Sequence, residues 1–184
     1  PYAITKMLSE YYVSFFSKFH NLPSVMVRYF NNYGPGDVPG QFRGVVPNFM
    51  YKAMNNEPLP ITGDGSETRP FTFVDDIVSG TIKAMDNGTR ISPSFSGHPL
   101  KSDNNIVYNI GSDKSYTILE FAETLNKVCG NSAGIEFLPK RNWDMFPKRA
   151  VNNDKAREEL DFDITHDLTQ GLTITYDWFK KQNF

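Results

Sequence analysis

Apolar residues recur at helical spacing through the first twenty positions, where Ile4, Leu8, Tyr11, Phe15 and Phe19 form a stripe. Pro1 stands just before them, at a favoured helix start. Val13 and Phe16 make the other side apolar too. The pattern predicts a helix over residues 2–20, ended by Asn21-Leu22-Pro23. A helix apolar nearly all round belongs in a core or in a subunit interface. Residues 24–30 (SVMVRYF) read as a short strand, and residues 31–44, with Pro35, Pro39 and several glycines, as a loop. Residues 45–55 read as a helix whose Pro47 is tolerable only in the first turn. Short strands are expected at 59–62 and 71–74, around the turn Gly63-Asp64-Gly65-Ser66.

Asp75 or Asp76 suits the start of a helix reaching about Met85, as cap and dipole partner. Residues 86–104 are polar and rich in Gly, Pro and Ser, so they read as a surface excursion. A strand at 106–110 precedes a helix that Thr117 opens, with Glu120 completing a capping box and Gly130 closing it. A strand at 135–138 and helices at 154–160 and 168–181 complete the chain. This alternation of strands and helices argues an α/β fold without repeats.

Composition narrows the function classes. The 184 residues suit one ordinary domain, and 39% hydrophobic with 22% charged residues is a globular mixture. Nineteen basic against 21 acidic residues leave a net charge of -2, without the basic field that holds a nucleic-acid backbone. No apolar run approaches the roughly 20 residues of a membrane helix. The single cysteine, Cys129, forms no internal disulfide and no Cys-rich metal site. His20, His98 and His166 show no metal spacing, and no metal is expected. With no secretory pattern, a reducing cytoplasm is the expected compartment, and Asn87-Gly88-Thr89 reads as a turn rather than a glycosylation acceptor. The chain opens at Pro1 in mid-pattern, which is expected of a piece of a longer protein.

The first candidate chemistry is Tyr2-Ala-Ile-Thr-Lys6. Four residues apart, Tyr2 and Lys6 share a helix face. A phenol is a poor base at neutral pH, and a nearby cation favours its ionised form. Such a pair can take a proton from a sugar hydroxyl while hydride leaves the same carbon. In isolation the pair is a weak signal, and a half-exposed tyrosine beside a solvated lysine explains it better. Similarly, Arg69 and Arg141 could be surface arginines, Trp143 a packing residue, and Asp75-Asp76 a helix cap rather than metal ligands. A tight turn accounts for Gly63-Asp64-Gly65-Ser66, and the glycines at 34, 36 and 40 have the wrong spacing for a dinucleotide fingerprint.

The context is more specific. Arg28-Tyr29-Phe30-Asn31-Asn32-Tyr33-Gly34-Pro35, Val45-Val46-Pro47-Asn48-Phe49, Leu59-Pro60-Ile61-Thr62-Gly63-Asp64-Gly65, Thr68-Arg69-Pro70-Phe71, Phe73-Val74-Asp75-Asp76, Tyr108-Asn109-Ile110-Gly111 and Arg141-Asn142-Trp143-Asp144 follow Tyr2/Lys6 in that order. In this the chain resembles the extended short-chain dehydrogenase/reductase superfamily, and within it the NAD-dependent sugar-nucleotide epimerases and dehydratases. UDP-glucose 4-epimerase is the nearest type. The resemblance covers the whole chain but only the later half of such an enzyme. It implies the C-terminal part of a Rossmann-like doubly wound parallel sheet plus a smaller α/β substrate-binding domain. Residues 1–43 and 75–110 would belong to the sheet side, residues 44–74 and 111–184 to the substrate domain, with the site in the cleft between.

The resemblance also implies roles. Tyr2 would be the catalytic acid/base and Lys6 its partner on the nicotinamide ribose of NAD. Phe30 and Asn31 would pass beside the nicotinamide, with Asn31 reaching the substrate diphosphate. Val45 would begin a segment over the nucleotide, and Pro60, Ile61 and Thr62 would flank the base. Arg69 and Arg141 would clamp the diphosphate, and Asp144 would accept from the ribose. Pro70 stands where the family usually has an acidic residue, which leaves the hydrogen bonding around Arg69 open. The implied activity is a UDP-sugar 4-epimerase working through a transient 4-keto sugar. A 4,6-dehydratase or a UDP-glucuronate decarboxylase shares the first oxidation, and a truncated, non-catalytic interaction module is the remaining alternative. A homodimer through the first helix is expected, with no nucleic-acid or membrane partner.

Overall fold

The computed structural model describes residues 1–88, 107–140 and 148–183. The chain divides into two compact units. Unit 1 comprises Pro1–Tyr29, Val78–Ile110 and Asn152–Asp163, and unit 2 comprises Phe30–Ile77, Gly111–Val151 and Ile164–Phe184. The elements are α1 (Tyr2–Phe19), β1 (Met26–Tyr29), β2 (Asn32–Tyr33), α2 (Val45–Met54), β3 (Leu59–Thr62), β4 (Thr68–Arg69), β5 (Thr72–Phe73), α3 (Val74–Gly88), β6 (Val107–Ile110), β7 (Tyr116–Thr117), α4 (Ile118–Cys129), β8 (Ile135–Leu138), α5 (Asp154–Leu160) and α6 (Leu168–Phe179). The fold is Rossmann-like α/β. Among the described residues no helix is long and apolar enough to cross a membrane. The expected excursion at 86–104 lies mostly, and the Asn87-Gly88-Thr89 turn partly, outside the described residues.

In unit 1, β1 and β6 pair in parallel from Met26↔Val107 to Tyr29↔Ile110. Helix α5 packs on β6. A Cβ on Gly80 of α3 would stand 2.6 Å from Ile110 Cγ2 and 2.9 Å from a Phe162 ring carbon, so that crossing requires glycine. The buried Tyr108 hydroxyl donates to Glu159 at 2.7 Å, under the Lys155 ammonium. Helix α1 is tied to β1 by Arg28, whose Nε and Nη2 each donate to the Glu10 carboxylate at 2.6 Å. That hydrogen bonding holds the Glu10 carboxyl below the usual carboxylate range.

The apolar stripe of α1 does not enter the core of this unit. Ile4, Met7, Leu8, Tyr12, Phe15, Phe16 and Phe19 are exposed, and the buried residues of α1 are Ser14 and Ser17. Both serine hydroxyls lack a hydrogen-bond partner among the described residues. The sequence pattern marked a helix that needs covering; the narrow small-residue face is the side it turns inward.

In unit 2, three short pairings carry the backbone: β2 with β5 and β3 with β8 in parallel, β4 with β7 antiparallel. The two-residue strands β2, β4 and β7 fall in stretches too short to show period-two alternation. Around them α2, α4 and α6 pack on one another. Their core includes Phe49, Met50, Leu59, Ile61, Phe71, Phe73, Phe121, Leu125, Leu172 and Phe179. The Phe71 and Phe121 rings stack with centroids 4.5 Å apart. Thr117 and Glu120 form the expected capping box on α4, which ends at Gly130 with φ 68°.

Helix α3 begins one residue earlier than the sequence suggested, at Val74, so Asp75 and Asp76 lie in its first turn rather than capping it. Asp76 is buried and anchors the segment before α6. It accepts from Thr165 N–H at 3.1 Å, Thr165 hydroxyl at 2.5 Å and His166 N–H at 3.2 Å, and its Oδ1 lies 3.2 Å from His166 Nδ1. These contacts explain its burial without a metal.

Candidate functional site

Tyr2 opens α1 and Lys6 follows one turn later, so their side chains share a face of unit 1. The Lys6 ammonium lies 5.6 Å from the centre of the Tyr2 ring. Tyr2 is 76% exposed. Thr5, between them, donates its hydroxyl to the Tyr2 carbonyl at 2.8 Å.

The second locus lies in unit 2. An open pocket of about 70 Å³ is lined by Asn31, Asn32, Asp37, Gly44, Val45, Val46, Pro47 and Phe71. Asn31 and Val45, two of the sequence-derived candidates, therefore meet in one cavity. Asn31 is held in the left-handed region at φ 41°, a conformation asparagine tolerates better than most residues. Thr72 fixes it there: its N–H donates to the Asn31 carbonyl at 3.2 Å and its hydroxyl to the Phe30 carbonyl at 2.9 Å. Phe30 in turn packs against Gly111, where a Cβ would stand 2.9 Å from Phe30 Cβ. Strained backbone over-determined by its surroundings is a common way of aiming a side chain at a site.

The pocket wall contributed by α2 begins at Gly44, which supplies no side-chain cap to the helix. Asp37 adds a carboxyl that burial raises above its usual range, partly offset by Arg43, whose Nη1 is 3.8 Å away. Asn32 and Phe71 stood in the motifs without an assigned role, and Asp37 was not singled out, because a Gly/Pro-rich loop gives no periodicity to show which residues turn inward. An acidic residue shortly before a helix start was the available signal.

The remaining candidates separate. On β3, Ile61 is buried in the core, whereas Pro60 and Thr62 are half-buried on the other side of the strand. Arg69 on β4 is half-buried and its guanidinium is engaged: Nη2 donates to Glu67 at 2.8 Å and Nη1 to the Thr68 carbonyl at 2.8 Å. Glu67, two residues upstream, thus supplies the carboxylate that Pro70 cannot. Arg141 and Asp144, with Trp143, lie outside the described residues. No group of three or more potential metal-ligating side chains occurs among the described residues.

Comparison with known proteins gives this arrangement its context. The chain belongs to the NAD dependent epimerase/dehydratase family, whose sequence model matches residues 1–111. It is 32% identical over 185 residues to a UDP-N-acetyl-alpha-D-glucosaminuronate decarboxylase of Bacillus cytotoxicus, covering 98% of this chain and 53% of that protein. Among solved structures, the epimerase Mth375 of Methanothermobacter thermautotrophicus superposes with a TM-score of 0.86 at 39% identity, covering 98% of this chain and 50% of that one. The UDP-glucose 4-epimerase of Thermotoga maritima, solved with UDP-glucose, gives 0.85 at 31% identity, covering 98% and 53%. The chain spans about half the length of these proteins. The family is NAD-dependent.

Proposed function

We propose that the protein containing this chain is an NAD-dependent UDP-sugar 4-epimerase. The observation that carries the reading is the Tyr2–Lys6 pair at the exposed start of α1, in a family defined by NAD-dependent epimerases and dehydratases. The residues present suit the cofactor: on one open face an ammonium donates to hydroxyls and a phenol oxygen accepts from them, and a nicotinamide ribose offers two hydroxyls. Lys6 would hold that ribose, and Phe30 and Asn31 would line the nicotinamide. When bound, the nicotinamide supplies the acceptor, and later the donor, of hydride at the reacting sugar carbon.

The chain's own residues do the proton work and the holding. In its phenolate form Tyr2 takes the proton of the sugar 4-hydroxyl at its oxygen as the carbon is oxidised to the ketone, and so becomes the neutral phenol. After the 4-keto sugar turns over, Tyr2 returns the proton to the new hydroxyl. Asn31 and the segment from Val45 hold the nucleotide, Pro60, Ile61 and Thr62 flank the base, and Arg69, Arg141 and Asp144 bind the diphosphate and ribose. For Arg69 this means sharing its guanidinium with Glu67, which five donors in a planar fork permit. For Ile61, buried in the core, it means contact through backbone groups. The exposed apolar stripe of α1 is proposed to pair with a second copy of the protein in a homodimer.

A second reading is a UDP-sugar decarboxylase, favoured by the curated relatives of that activity, including the plant UDP-glucuronic acid decarboxylases. It shares the oxidation at C4 and then loses a carboxylate as carbon dioxide. Incubation of the whole protein with NAD and either UDP-glucose or UDP-glucuronate separates the readings. The expected product is the 4-epimer with no net reduction of NAD. Release of carbon dioxide from UDP-glucuronate supports the second reading, and loss of water from UDP-glucose a dehydratase. No turnover of either sugar nucleotide removes the proposal.

A further inference from the structure

The loop entering α2 is held by one side chain. Asn48, half-buried in the first turns of the helix, is not among the residues that line the pocket. Its carboxamide oxygen accepts from the Gly40 N–H at 2.9 Å. Its nitrogen lies 3.1 Å from the Gly40 carbonyl, 3.3 Å from that of Arg43 and 3.2 Å from that of Gly44. The opposite demands of an N–H and three carbonyls fix which end of the amide is which. One amide therefore grips residue 40 at both backbone groups and the two residues that lead into the helix.

The segment needs such a grip. Gly36 sits at φ +93°, and Gly40 and Gly44 have no Cβ to restrict them. Further closure comes from the Arg43 N–H donating to the Gly40 carbonyl at 3.1 Å and from the Arg43–Asp37 pair. The residues at the two ends of this segment, Asp37 on one side and Gly44 and Val45 on the other, line the pocket. A loop ordered before its ligand arrives spares the ordering entropy that would otherwise be lost on binding.

We propose that Asn48 is a positioning residue for nucleotide binding. It locks residues 40–44 and thereby presets the pocket wall formed by Gly44, Val45 and Asp37. The proposal rests on the reading of that pocket as the nucleotide site, and it concerns affinity for the nucleotide rather than the chemical step.

The test is calorimetric titration of the whole protein with UDP, beside steady-state kinetics. Asn48→Ala raises the Kd for UDP about tenfold. Asn48→Asp, which keeps an acceptor for Gly40 N–H but turns a carboxylate towards three carbonyls, raises it further. KM for the sugar nucleotide rises in parallel, while kcat and the affinity for NAD stay at their original values. Variants that lose thermal stability but bind UDP as tightly as the original protein overturn the positioning role. An original protein that binds no UDP sinks the nucleotide reading, and this role with it. Should neither variant fold, amide exchange in the unvaried protein decides. The Gly40 N–H, held by Asn48, exchanges about tenfold or more slowly than the Phe42 N–H without UDP present, and equal rates overturn the lock.

Discussion

A tyrosine that acts on a substrate must be reachable, and Tyr2 is; a tyrosine that serves packing need not be, and Tyr33 is not. Tyr33 is buried with its hydroxyl 3.4 Å from the Leu168 carbonyl, and burial raises its phenol above the ordinary range. Replacing Tyr2 by Phe in the whole protein should therefore lower turnover by about a hundredfold or more, the usual size of a general acid–base contribution. UDP affinity should stay unchanged, since the role proposed for Tyr2 is at the sugar and not at the nucleotide; kinetics and titration on one preparation check both. Cys129 is a case of packing over reactivity. Its sulfur lies 3.5 Å from that of Met50, and burial pushes the thiol up to about 11. At pH 8 its thiolate fraction is then about a hundredfold below that of the unfolded chain, and alkylation followed by mass spectrometry should show native protein reacting more slowly than protein in urea by that factor. The sign for stability follows: the unfolded thiol ionises first, so this contribution is intact below about pH 9 and fades as the pH rises towards 11.

Elements were legible to the degree that their signals were local. The α4 capping box is written in Thr117 and Glu120 and its end in Gly130, and all three act as read. Thr117→Ala should cost about 1 kcal/mol, measured as a shift in the urea midpoint at constant m-value. The strands β2, β4 and β7 have two residues each and exist only through their partners, so nothing in the one-dimensional pattern could reveal them. By helix propensity alone, replacing an interior helix glycine such as Gly80 by alanine gains about 1 kcal/mol. The packing reverses the sign: a Cβ would meet Ile110 and Phe162 inside van der Waals contact. Gly80→Ala should destabilise by about 1–3 kcal/mol, and thermal unfolding checks it. Asp76 shows the same limit, because its acceptor role depends on Thr165 and His166, 89 and 90 positions away.

For the whole molecule, the apolar stripe of α1 predicts association. Ile4, Leu8, Phe15 and Phe19 are exposed together on one helix, and an apolar patch of this kind is expected to be covered by a partner. The whole protein should sediment as a dimer at micromolar concentration, and Leu8→Asp with Phe15→Asp should shift it to monomer; a monomeric original protein contradicts the homodimer. The α/β class, the helices, the longer strands and the order of the family's motifs were fixed by sequence alone. Periodicity, capping and turn chemistry act between neighbours a few residues apart. Tertiary structure decided what lies between distant positions. It brought Asn31 and Val45 to one pocket with Asp37, sent Ile61 into the core, gave the Arg69 guanidinium to Glu67 and hung a loop on Asn48. Each of these depends on which residues the folded backbone brings within about 3–4 Å of one another, and no local pattern in the chain encodes that distance.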